Sequence, residues 1–168
     1  MLKIIENRRS IRKYTGDKIS DEIIQKILKT AMYSPSAHNS QCWEFIVVRN
    51  QEMKEAFAKS NSAAHMAPKA PVVIVVCGNL TRPKLEHFWI QDCAAATQTL
   101  LLAAHILGLG SVWHGVYPNK EHMKRIQQML HLPNHIIPFS LIPLGKSAEA
   151  IKHPNRFHPE YIHYEQWD

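Results

Sequence analysis

The sequence predicts an α+β or α/β sandwich, with helices laid on a sheet. Three observations carry that expectation. Helical and strand patterns alternate along the chain in the order α, β, α, β, α, β, α, β. Val72 to Cys77 is a continuous, mostly β-branched run, as expected of a strand covered on both faces. Gln91 to Leu107 is apolar nearly all round, as expected of a buried central helix. With 168 residues, 45% hydrophobic and 20% charged, the chain has the size and composition of one domain with its own core.

The elements follow in order. Ser20 is a good N-cap, with Asp21 and Glu22 in the first turn, where the helix dipole favours acids. Ile23, Ile24, Ile27, Leu28 and Ala31 then repeat at helical spacing until Pro35 ends the helix. Ser34 to Ser40 has loop composition, and Trp43 to Val48 has a strand pattern. Gln51 to Lys59 reads as a polar helix, and Ala67 to Pro71 as a connector to the Val72 strand. Gly108 and Gly110 are placed to stop the central helix. Ser111 to Gly115 is a short strand or extended loop. Asn119 caps a helix through Leu130, closed by Leu132-Pro133. Ile136 to Leu144 is a last strand, interrupted by Pro138 and Pro143. The tail from Lys146 is rich in His and Pro. Its four aromatic residues, Phe157, Tyr161, Tyr164 and Trp167, cannot form a core of their own. They need the chain's own body or a second subunit, and the irregular pattern favours an arm that embraces a second subunit.

A net charge of +6 favours anionic ligands without choosing between a nucleotide and a nucleic acid. The basic residues are split between the two ends of the chain rather than forming one stripe, which argues against nucleic acid. Cys42, Cys77 and Cys93 are an odd number without a CxxC, and read as reduced thiols of a cytoplasmic protein. The N-terminus has no uninterrupted apolar stretch of the signal-peptide kind, and the apolar stretch from Cys93 to Leu109 is broken by Thr97, Gln98, Thr99 and His105. No membrane association is expected. Eleven histidines raise the question of a metal, but there is no HExxH, and His153, His158 and His163 are spaced by five, which puts them on no common helical face. No metal site is expected.

Four motifs carry chemistry. Arg8, Arg9, Ser10 and Arg12 gather three guanidiniums and a hydroxyl within five positions. Guanidinium forks match phosphate oxygens, so this run reads as one wall of a phosphate site, or else as a solvated basic arm. Ser34-Pro35-Ser36-Ala37-His38-Asn39-Ser40-Gln41-Cys42-Trp43 clusters hydroxyls and amides that can donate and accept at the mixed edge of a flat ring, or simply cap a turn. His38 in that loop is either a donor to a substrate or a surface residue. Gly108-Leu109-Gly110-Ser111-Val112-Trp113-His114-Gly115 contains a GxG. It follows a helix rather than a strand, which opposes a dinucleotide fingerprint, while Gly115 would let backbone approach a flat ligand. Gly145-Lys146, with Arg156 ten residues later, adds a cationic pair.

In this order, RRSIRKY, SPSAHNSQCW, LLLAAHILGLGSVW and LIPLGK resemble the nitroreductase family of flavoproteins over essentially the whole chain. The family pattern is RRSxRxF, APSxxNxQPW, a GLGS-like turn after a long apolar helix, and a strand ending in Gly followed by a basic residue. The tail HYEQW is similar to the family's short members. The resemblance implies a three-layer α/β/α sandwich with a mostly antiparallel central sheet. It also implies one domain over residues 1–168, with residues from about 146 as a C-terminal arm, in an intertwined homodimer that holds FMN at the subunit interface.

By that resemblance Arg8, Arg9 and Ser10 would meet the phosphate and ribityl chain, and Arg12 the pyrimidine edge. Pro35, Ser36 and Asn39 would come from the other subunit to line the ring. Trp113, His114 and Gly115 would pass by the flavin with a backbone N–H near N5, and Lys146 and Arg156 would close on the phosphate. The implied activity is transfer of hydride from NADH or NADPH, through the flavin, to a nitroaromatic, quinone or similar acceptor by a ping-pong route, with no side chain acting as acid or base. Other flavin chemistry on the same scaffold, or a non-enzymatic flavin binder, remains open. Two departures stand out: Cys42 replaces the family's usual Pro, and His114-Gly115 match only partly.

Overall fold

The computed structural model describes residues 2–82, 87–151 and 154–167. Five helices and five strands form the frame: α1 (Leu2–Asn7), α2 (Asp21–Ala31), β1 (Trp43–Val48), α3 (Gln51–Ser60), β2 (Val72–Asn79), α4 (Trp89–Ile106), β3 (Gly110–Ser111), β4 (His114–Gly115), α5 (Lys120–Met129) and β5 (Ile136–Gly145). The sheet runs β1-β2-β5-β3, with β4 also on β5, and every pairing between these strands is antiparallel.

Side-chain alternation on β2 builds the layers. Val72, Ile74 and Val76 face α2 and α4, while Val73, Val75 and Cys77 face α3 and α5. All eight residues of β2 are buried, which is why this strand reads as an unbroken apolar run. The result is the three-layer α/β/α sandwich, with one core cluster on each face of the sheet. The caps are where the sequence puts them. The Ser20 hydroxyl accepts from Ile23 N–H, and the Asn119 side chain accepts from His122 N–H at 2.9 Å.

The end of α4 separates the two glycines. Gly108, at φ +74°, donates to His105 O, and Leu109 donates to Ala104 O, so Gly108 alone makes the left-handed stop. Gly110 instead opens β3, where a Cβ would lie 2.7 Å from Ile11. Its role is close passage of the N-terminal segment over the sheet.

Two expectations need correction. The prolines do not interrupt β5. At Pro138 the register with β2 shifts by one residue, Val76 pairing Ser140 and Cys77 pairing Pro138, so that Phe139 is bulged out. The Phe139 carbonyl then accepts from both Val116 and Tyr117 N–H. Pro143 lies in the gap between β3 and β4, where its carbonyl accepts from Val112 N–H at 3.4 Å. A residue without an N–H is tolerated at both places. The second correction is α1, which precedes the arginine run and has no counterpart among the expected elements. Its apolar residues Leu2, Ile4 and Ile5 are exposed, so no buried stripe announced it.

Replacing Gly110 with Ala should cost about 2 kcal/mol through overpacking on Ile11, seen as a fall of about 4–8 °C in Tm by differential scanning calorimetry. Gly115→Ala, whose Cβ would meet only Tyr117 O at 3.7 Å, should move Tm much less. Equal losses would show that the Ile11 contact is not the constraint.

Candidate functional site

The N-terminal motif is stitched to the sheet by backbone. Ser10 bridges Ser111 of β3, Ile11 N–H donates to Ser111 O at 2.9 Å, and Thr15 N–H donates to Lys146 O at 3.1 Å. Ala148 N–H returns to Lys13 O at 2.9 Å, and Glu149 Oε1 accepts from Arg12 N–H at 2.5 Å and Lys13 N–H at 3.2 Å. The buried Tyr14 hydroxyl donates to Ile11 O at 2.5 Å, with Pro143 O 3.2 Å away. Burial, and after it the Glu149 carboxylate, raise the pKa of this phenol, so it stays a neutral donor. Three motifs that lie far apart in sequence thus meet at one end of the sheet.

That stitching brings the cations together. Arg8, Arg9 and Arg156 line one open cavity of about 580 Å³, with Gln98 of α4 and Phe157 on its walls. The pKa of Arg8 is lowered by burial first, then by Arg156 and Arg9. Arg8 and Arg9 also hold the nearby His105 below its ordinary value, after burial. Like charges gathered this closely repel one another, and an anion relieves them. The fork geometry of the donors fits a phosphate. Ser10 lines an adjoining pocket of about 290 Å³ with Arg9, Arg156 and Glu149. The donor set therefore fits the phosphate end of a mononucleotide.

A second pocket of about 450 Å³ lies on the far side of Glu149. It is lined by Arg12, Lys13, Tyr14, His65, Met66, Lys69 and Glu149. His65 and Lys69 were not anticipated. Lys69 ends the short turn Ala67–Lys69 within the expected connector and His65 lies two residues before it, and nothing local in sequence ties them to Arg12.

The remaining candidates lie elsewhere. Lys146 Nζ pairs with Asp17 Oδ2 at 3.1 Å on the surface, and Lys146 is not among the described residues lining the arginine cavity. Trp113 is partly exposed and packs on Phe139, with ring centroids 5.5 Å apart. The His114 side chain turns into the core beside His122 at 5.4 Å, and its Nε2 has no hydrogen-bond partner among the described residues. Only the backbone of His114 and Gly115 is left for a ligand. None of Pro35, Ser36 and Asn39 lines the arginine cavity of the same chain. Their loop sits instead on α4, with His38 exposed and in the left-handed region at φ 51°. Cys42, Cys77 and Cys93 are buried free thiols, and Cys42 faces inward. Of the tail histidines, His153 lies outside the described residues. Phe157, Tyr161, Tyr164 and Trp167 are 66–82% exposed, so the chain's own body does not cover them. No helix among the described residues is long and apolar enough to cross a membrane.

Comparison with known proteins settles the family. The Nitroreductase family profile matches residues 5–66 and 58–146. This chain belongs to the nitroreductase family. It is 47% identical to a provisionally named NADH dehydrogenase/NAD(P)H nitroreductase of Methanothermobacter thermautotrophicus, over 99% of this chain and 87% of that protein. An FMN-dependent nitroreductase of Clostridium difficile superposes with a TM-score of 0.92 at 30% identity, covering 99% of this chain and 100% of the other. A provisionally named nitroreductase of Desulfovibrio desulfuricans, solved in complex with FMN, superposes at 0.85 with 30% identity over 99% and 97% of the two chains.

The buried histidines give this nitroreductase fold a pH signature. Burial, with His122 next, pushes His114 down to about 4, and burial also lowers His122. The unfolded chain then binds more protons than the folded one between pH 6.5 and 4. Stability is whole above about pH 6.5 and falls as pH drops through that window, by on the order of 2–3 kcal/mol from His114. Urea unfolding of His114→Leu should show a flatter pH profile than wild type from 6.5 to 4.5. Parallel profiles would mean that His114 is not the titrating group.

Proposed function

We infer that the chain is an FMN-dependent oxidoreductase that draws reducing equivalents from NADH or NADPH and delivers them to a nitroaromatic, quinone or similar acceptor, the two substrates taking turns in one slot. The convergence of Arg8, Arg9 and Arg156 on one cavity, in a member of the nitroreductase family, is the observation that carries this reading. Bound FMN supplies the hydride-accepting and hydride-donating centre.

The chain's own residues supply position and charge. Arg8, Arg9 and Arg156 neutralise the phosphate, and Ser10 reaches the ribityl side. Arg12, with Lys69 on the same pocket, offers positive charge where the reduced cofactor gathers negative charge, and so favours its two-electron reduced form. The Gly115 backbone, paired to Ser140 on β5, gives a flat ligand a surface without a side chain, and Trp113 borders it. Lys146 is a reserve cation that must leave Asp17 to reach the phosphate. No buried acid or base is required, because solvent can exchange protons with the open slot.

Pro35, Ser36 and Asn39 reach the cofactor from a second copy of the chain, in a homodimer whose arm begins near residue 146. The exposed Leu2, Ile5, Tyr161, Tyr164 and Trp167 support that assembly, because apolar surface on this scale is seldom left to water.

The purified protein should be yellow, dimeric by light scattering, and bleached anaerobically by NADH or NADPH. A colourless monomer that takes up no added FMN ends the proposal. Arg156→Ala should weaken FMN binding about 10- to 100-fold, the effect of losing a charged hydrogen bond, in a fluorescence titration. Arg12→Gln should bind more weakly and lower the reduction potential of the flavin. An unchanged potential would place Arg12 away from the pyrimidine edge.

A further inference from the structure

A buried carboxylate with no assigned task lies beneath the Ser34–Cys42 loop. Asp92, in the first turns of α4, is 3% exposed. A carboxylate so placed is costly unless hydrogen bonds satisfy it. Among the described residues Asp92 has three donors, all from the loop or its junction with β1. Ala37 N–H donates to Oδ1 at 2.9 Å, Ser40 Oγ–H to Oδ2 at 2.7 Å, and the Cys42 thiol to Oδ2 at 3.5 Å.

The loop needs such an anchor. His38, Asn39 and Gln41 all have left-handed backbone, at φ 51°, 54° and 46°. Such backbone is unfavourable for a residue with a Cβ, least so for Asn. Within the loop, the Gln41 N–H donates to Ser36 Oγ at 3.1 Å and its side-chain amide to Asn39 Oδ1 at 2.8 Å. Both bonds tie loop to loop. Asp92, with the Ser34–Thr99 hydroxyl pair at 2.7 Å, ties the loop to the helix beneath it. The carboxylate grips Ala37 and Ser40, on either side of Asn39, and leaves Asn39 itself exposed.

We propose that Asp92 is a positioning residue, which fixes the strained Ser36–Gln41 turn so that Ser36 and Asn39 are presented to the flavin of the partner subunit. This rests on the FMN reading above. It also gives a place to Cys42. Its thiol points inward and supplies the third donor to Asp92, a bond that a proline side chain at this position cannot make.

The test uses the full-length protein. FMN affinity is read by fluorescence, the environment of bound flavin by visible circular dichroism, and Tm separately. Asp92→Ala should raise the FMN Kd at least tenfold and change the flavin dichroism, and Asp92→Asn, which keeps one acceptor, should fall between it and wild type. Cys42→Ser should match wild type, and Cys42→Ala should show a smaller effect of the same kind. If Asp92→Ala lowers Tm yet, well below that Tm, binds FMN with wild-type Kd and dichroism, Asp92 serves only the fold and the proposal is overturned. Should Asp92→Ala not fold, Ser40→Ala decides by the same readouts, since it keeps the carboxylate and removes one donor. Wild-type Kd and dichroism in Ser40→Ala overturn the proposal, and a raised Kd with altered dichroism supports it. Wild type that takes up no FMN overturns the FMN reading together with this one, whereas wild type that binds while Asp92→Ala is unchanged overturns this one alone.

Discussion

The candidate site depends on a backbone seam. Residues 10–15 pair with β3 on one side and with the chain leaving β5 on the other, so both ends of the sequence are anchored to the same end of the sheet. The seam requires a close pass of Ile11 over Gly110 and the buried Tyr14 hydroxyl against two carbonyls. Once it forms, Arg8 and Arg156 share a cavity although 148 positions separate them in sequence. The mutual repulsion of these cations is borne by the packing of the sheet end. Stability spent there holds the three cations around one cavity.

The two faces of the sheet serve different ends. On one face α4, with α2 packed beside it, carries the loop through Asp92 and Thr99. On the other, α3 and α5 enclose the His114–His122 pair. β4 is shared between these tasks, with the His114 side chain in the core and Gly115 exposed beside it. Acid sensitivity of the fold and the bare exposed backbone of this strand therefore come from adjacent residues.

Much of this was legible in the sequence because local physics fixes it. The Ser20 and Asn119 caps, the doubly covered β2 run and the Gly108 stop each depend on a few neighbouring residues. The run Arg8 to Arg12 was legible only as a phosphate wall or a solvated basic arm, and nothing local in sequence placed Arg156 beside it. Asp92 was hidden, since one acid in an apolar helix gives no periodic signal and its partners lie fifty or more positions away. His65 and Lys69 were hidden for the same reason. The prolines of β5 misled because their cost depends on what lies opposite them, which only the folded sheet reveals. The exposed apolar residues of α1 gave no stripe to read.

The bulge at Phe139 also divides β5 into two half-strands of opposite phase. Before it, Ile137 faces the α2/α4 layer and Ile136 the α3/α5 layer; after it, Ile142 and Leu144 face α2/α4 while Leu141 faces α3/α5. Phe139 and Ser140 both point toward α4, the hydroxyl of Ser140 lying 3.3 Å from that of Thr97. Removing the extra residue would leave a regular ladder with Ile136 to Pro138 facing as before, because Pro138 already opposes Cys77 and Ser140 already opposes Val76. What the inserted residue adds is therefore local: a second consecutive side chain on the α4 face, and a carbonyl that takes two N–H groups from the chain leaving β4.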